Sequence, residues 1–223
     1  MSTSARAIAI VGFVIATGLV VTLHILRTDL RPAANRLSEY ANGPYGWLMT
    51  TSFVALGCGL LSLGVLIRSE RSREWRSLAN PVLALVAGAA TILSGFFPIG
   101  PSTTDGSIHS PASAVAVVAV VALAMSHSIL AASGGPGWKA ERTGAALALI
   151  AFVLAALSPL IHHSRWTGFG QRALWIVVTV WLLRTAWNGV PQSSPSDASS
   201  RTDHGEEMAA RGGHTSDWAG RGG

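Results

Sequence analysis

Cysteine is nearly missing from this chain: Cys58 is the single one among 223 residues. One thiol excludes an internal disulfide and a multi-cysteine metal site. It also excludes a disulfide-exchange enzyme, which needs a pair. Charge is scarce as well. Only 12% of the residues are charged, against about 25% in an average soluble domain. With 49% hydrophobic residues, this rules out both an ordinary soluble domain and a disordered chain. No Walker loop, dinucleotide fingerprint or Gly-x-Ser-x-Gly elbow occurs, so the reactions those motifs serve have no support. The net charge of +5 comes from arginines scattered between apolar runs. It accompanies no nucleic-acid-binding domain, and no nucleic acid partner is expected.

Long apolar runs are what the sequence does contain. They predict an all-α polytopic membrane protein, a bundle of six transmembrane helices with short loops, over residues 1–190. The expected spans are about 7–26, 46–67, 81–97, 112–131, 143–161 and 169–187, each near the length that crosses the hydrocarbon of a bilayer. The first lacks an Ala-x-Ala cleavage site and reads as an uncleaved span. Pro81 suits the first turn of span three. Ser110 and Pro111 read as cap and first residue of span four, which starts that helix after His109. Span six is the weakest. It relies on Arg172 and Arg184 snorkelling outward and on Trp175, Trp181 and Trp187 anchoring at the interfaces. Residues 191–223 are rich in Ser, Asp, Gly and Pro and are expected to form a disordered cytoplasmic tail.

Orientation follows from the basic residues. Arg6, the loops after spans two and four, Arg184 and the tail hold eleven of the sixteen Lys and Arg. Arg27, Arg31, Arg36, Arg165 and Arg172 lie on the other side. Basic loops stay in the cytoplasm, so both termini are expected there and the protein in the inner, or cell, membrane. Small residues such as Gly57, Gly59, Gly88 and Gly95 mark helix–helix contacts.

Much of the acidic and histidine content outside the tail falls in the outer loops. Asp29, Glu39, Asp105, His109, His162 and His163 share one membrane face if the topology holds. In the first outer loop, residues 32–40 suit a short interfacial helix with Leu37 and Tyr40 on one side. Asn42-Gly43-Pro44 ends it, and Gly43 and Gly46 permit the turn back toward the bilayer. Trp47 then falls at headgroup depth.

The stretch Ser38-Glu39-Tyr40-Ala41-Asn42-Gly43-Pro44-Tyr45-Gly46-Trp47-Leu48-Met49 resembles the DUF998 family of bacterial membrane proteins. Phe97-Pro98 and Asp105-Gly106-Ser107-Ile108-His109 add to the resemblance, which covers about residues 7–188. It implies a six-span fold and supplies no reaction, since the family's function is unknown. One departure is visible: Ile99 and Gly100 follow Phe97-Pro98, where the family pattern has an early acidic residue.

Four functions compete on this sequence, and no catalytic residue is assigned by any of them. The first is binding of a lipid, small ligand or partner at the outer face, with membrane lipids as the expected partners. Its candidate residues are Asp29, Arg31, Arg36, Glu39, Tyr40, Tyr45 and Trp47, the arginines being suited to phosphates. The second is a metal-dependent hydrolase or transferase at the outer leaflet, its ion held by Asp105, His109, His162 and His163 and activating a water. The third is transport. It is weakened by the lack of acidic or basic residues deep in a span, with His24 and His127 near span ends. The fourth is a single-haem protein, which needs paired histidines at one depth.

Overall fold

The computed structural model describes residues 2–70, 78–99, 103–131, 138–157 and 167–188. The chain divides into a helical unit, Met1–Pro191, and a second unit, Gln192–Gly223. The second unit, with the expected tail, lies outside the described residues. The helical unit contains α1 (Ser2–Leu26), a short 3₁₀ turn (Leu37–Ala41), α2 (Gly46–Glu70), α3 (Ala79–Phe96), α4 (Thr103–Ala131), α5 (Trp138–Leu157) and α6 (Thr167–Asn188). No strand occurs among the described residues.

Each helix packs on the next, and α6 returns to α1, so the helices close a ring. Four of them are long and apolar enough to cross a membrane: 3–26, 46–69, 79–96 and 107–127. Ile8, Val14, Val21, Val82 and Val180 stay exposed on the outside of the ring. Such surface is costly in water and suits a hydrocarbon solvent. The chain is a membrane protein by this apolar helical surface.

Lipid tails supply no hydrophobic drive between helices, so close backbone approach must hold them together. α2 and α3 meet through Gly57 and Gly88. A Cβ on Gly57 would fall 2.7 Å from the Gly88 carbonyl oxygen, and one on Gly88 would fall 2.8 Å from that of Gly57. On the other side of α2, Ser52 donates to the Ala16 carbonyl of α1 at 3.0 Å. Away from the first loop the ring is filled by Phe13, Leu60, Leu63, Leu123 and Leu182.

Three local expectations change. Span four does not begin at Pro111: α4 starts at Thr103 and Pro111 lies inside it. The proline removes one helix hydrogen bond. His109 and Ser113, on either side of it, bond to the end of α3 and to each other and hold the extra turns in place. Trp181 is not an interfacial anchor. It is 3% exposed and meets the His127 ring edge-on at 5.8 Å. The residues 32–40 do not form one helix. Asn35 Oδ1 accepts from Arg31 N, and Glu39 accepts from Arg36 N and Asn35 Nδ2. Side chains thus take over the backbone bonds that a helix would make, and only Leu37–Ala41 coils, as a 3₁₀ turn. Its buried residues include Leu37 and Tyr40, as their spacing predicts.

The return into α2 uses two glycines in different ways. Gly43 has φ of +79°, where glycine is unstrained. Gly46 is needed for space, since a Cβ there would overlap the Ala41 carbonyl. Tyr45, between them, takes the second positive φ, +64°.

Candidate functional site

The first loop, residues 27–45, is tied down by two arginines. Arg27, one residue past α1, is only 6% exposed. Its Nε and Nη2 donate to the two Asp29 carboxylate oxygens at 2.8 and 2.9 Å. Its Nη1 donates to the carbonyls of Asn42 and Pro44. A guanidinium has five donors in a fixed fork and accepts nothing, so one side chain gathers the whole turn before α2. The bond from Arg27 is the main reason that the Asp29 carboxyl lies below its ordinary range, and the same bond raises Arg27.

Arg172, in the second turn of α6, holds the middle of the loop. Nε donates to His24 Nε2 at 2.8 Å, Nη1 to the Asn35 carbonyl at 2.7 Å, and Nη2 to the Tyr40 hydroxyl at 3.1 Å. The Tyr40 ring stacks on His24 at 5.0 Å, and the guanidinium sits 5.4 Å from its centre. The expected outward snorkelling of Arg172 is replaced by these contacts. An arginine this far into an apolar helix is costly without partners, and the loop supplies them.

The loop also caps α6. Gly168 N and Phe169 N both donate to the Ala33 carbonyl, at 2.7 and 3.1 Å, which satisfies orphan donors of that helix start. Leu37 N donates to Gln171 Oε1 at 3.0 Å. The loop therefore spans from α1 to α6 across one end of the ring.

Beneath it lies a cavity of about 540 Å³, within the range of about 300–1,000 Å³ typical of small-molecule sites. Near the loop its lining is polar: Arg36, Ser38, Ser94, His109, Ser113 and Gln171. Further in it is mainly apolar, with Leu56, Leu60, Val117, Phe152, Val178 and Leu182 beside the hydroxyls of Thr91 and Thr179. From Gln171 to Leu182, eleven residues of α6, the wall runs about 16 Å at 1.5 Å per residue. That is about half of a 30 Å hydrocarbon core.

The polar groups divide into satisfied and free. His109 is 3% exposed. Its Nδ1 lies 2.9 Å from both the Ser94 and Phe97 carbonyl oxygens. Carbonyls only accept, so Nδ1 carries a proton; Nε2 lies 3.1 Å from Ser113 Oγ, whose hydroxyl also reaches Ser94 Oγ at 3.2 Å. This histidine ties α4 to α3. Arg36 and Ser38 differ: among the described residues neither side chain has a hydrogen-bond partner, and Ser38 is 6% exposed. The Gln171 oxygen faces Leu37 N, so its amide NH₂ is left as a donor. No Asp or Glu appears among the described lining residues.

The candidates from sequence are thus spread over different tasks. Asp29, Glu39 and Tyr40 are bound into the loop's own structure. Arg31 is exposed, as are Tyr45 and Trp47 beside α2. Of these ligand candidates Arg36 lines the cavity, and of the metal candidates His109 does. Of the metal candidates, His109 has both ring nitrogens engaged. Asp105 sits in α4 with its side chain outside the described residues, as are His162 and His163 entirely. No group of three metal-ligating residues occurs among the described residues. The sequence reading passed over Arg27, Asn35, Ser38, Gln171 and the partners of Arg172. Two arginines flush with span ends, unmatched by nearby acids except at Asp29, were the available signal.

No curated protein and no solved structure matches the chain. Residues 9–188 run from α1 through α6, and so take in the loop, both arginines and the cavity beneath them. They match the model of a family described as protein of unknown function, DUF998, and the chain belongs to that family.

Proposed function

We propose that this is a six-span protein of the inner, or cell, membrane, with both termini cytoplasmic, that binds a lipid from the extracytoplasmic leaflet. The observation that carries the reading is the grading of the cavity. Polar groups lie under the loop, and a mainly apolar wall continues inward from Leu174 to Leu182 over about 12 Å, the profile of one lipid in one leaflet. The loop end is extracytoplasmic on this reading because five basic residues share its side, against eleven on the other. α5 and α6 complete the ring and are taken as the fifth and sixth spans.

Lipid identification after purification in mild detergent tests the binding. Enrichment of one lipid class over the bulk membrane is expected, and loss of that enrichment in Ala116→Phe, which fills the apolar wall. A lipid profile equal to the bulk membrane contradicts the reading. Orientation is tested in a Cys58→Ser background. Arg31→Cys is expected to react with a membrane-impermeant maleimide from outside the cell, and Arg68→Cys only after permeabilisation. The reverse pattern contradicts it.

A further inference from the structure

The polar end of the cavity has a chemical bias that lipid binding alone does not require. Besides the Ser110 hydroxyl of α4, three groups there are free among the described residues, and all three present donors: the Arg36 guanidinium, the Ser38 hydroxyl and the Gln171 amide NH₂. They are held together, since Leu37, between Arg36 and Ser38, donates its backbone N–H to Gln171. The nearby acid is already occupied. Glu39 accepts from Arg36 N at 3.1 Å and from Asn35 Nδ2 at 2.7 Å. It leaves the Arg36 guanidinium without a carboxylate partner among the described residues. His109 and Ser113 face the same space but satisfy each other.

The Ser38 hydroxyl opens on the cavity and can donate into it. An unpaired guanidinium beside it is a fork suited to phosphate or carboxylate oxygens. Resting on the lipid-binding reading, we propose that this end selects an anionic lipid headgroup. Arg36 holds the charge, Ser38 and Gln171 donate to the remaining oxygens, and the acyl chain lies along Val117 and Val178.

The test uses the purified full-length protein in a mild non-ionic detergent, titrated by native mass spectrometry. The probes are lysophosphatidylglycerol and a monoacylglycerol of the same chain length. The anionic probe is expected to bind at least about tenfold tighter. Arg36→Gln is expected to reduce its affinity to that of the neutral probe, with Ser38→Ala giving a smaller loss. Arg31→Gln, at an exposed arginine outside the cavity, is expected to leave the affinity unchanged. Because the Arg36 guanidinium has no hydrogen-bond partner among the described residues, its variant is expected to keep the wild-type thermal midpoint, which separates loss of binding from loss of fold. Equal affinity for the two probes, or an unaltered preference in Arg36→Gln, overturns the headgroup inference while leaving lipid binding standing. Failure of both probes to bind overturns the lipid reading as well.

Discussion

Arg172 Nε donates to His24 Nε2 at 2.8 Å, joining the start of α6 to the end of α1. Arginine only donates, so Nε2 must accept. The proton of His24 is then on Nδ1, which donates to the Val20 carbonyl at 2.7 Å. The same guanidinium reaches Asn35 and Tyr40, so the closure of the helix ring and the position of the first loop depend on one side chain.

Loss of this contact is expected to be destabilising and non-additive. His24→Ala leaves the arginine Nε unpaired, and a bond to a charged group contributes about 1.5–3 kcal/mol. Arg172→Gln is expected to cost at least as much, because it also releases Asn35 and Tyr40. The double variant is expected to fall well short of the sum, since both changes remove the same contact. Thermal unfolding in detergent measures all three. Additive losses would mean that the two residues act independently.

Acid is expected to loosen the other end of the loop. The Asp29 carboxyl lies below its ordinary range, chiefly through the bond from Arg27. The ordinary carboxylate pKa is about 3.9. A depressed carboxylate contributes stability that is fully present above the ordinary value and is lost as pH falls through the folded one. The thermal midpoint should therefore drop on acidification through this range, and Asp29→Asn should remove that part of the drop. Asp29 is 60% exposed on its side chain, so the effect is expected to be small. It should also be weaker in salt. An identical acid profile in Asp29→Asn contradicts the role given to the pair.

His109 is assigned to the fold, and its variants should say so. His109→Ala leaves the Ser94 and Phe97 carbonyls without their donor and is expected to cost about 1–3 kcal/mol. Ser113→Ala should cost less, since it removes the contacts to Ser94 Oγ and His109 Nε2 and spares the two carbonyls. Thermal midpoints give both values. A His109→Ala variant of wild-type stability that has lost a bound metal ion would instead support metal ligation.

The helices were legible in the sequence because apolar runs of spanning length have few other uses, and four of the described helices are long and apolar enough to cross a membrane. α4 was misplaced for a physical reason: Ser110-Pro111 is a good local start signal, and tertiary bonds from His109 and Ser113 outweigh it. Trp181 shows the same limit, since composition does not tell an inward tryptophan from an interfacial one. At the candidate site, the sequence singled out the first loop and Arg36, which lies against the cavity. It also assigned Asp29, Glu39 and Tyr40 to a ligand, where they serve the loop itself. Which charges are consumed by neighbours depends on contacts across more than a hundred residues, such as Arg172 to Tyr40, and local pattern does not carry that.

The most direct measurement is photocrosslinking in native membranes with a lipid carrying a diazirine midway along its acyl chain, followed by peptide mapping of the full-length protein. A lipid held under the first loop labels the cavity wall at Leu56, Val117 and Val178, and Ala116→Phe suppresses that labelling. Adducts confined to the outer surface, at residues such as Val86, Ile176 and Val180, unaltered by Ala116→Phe, would contradict a lipid site within the ring.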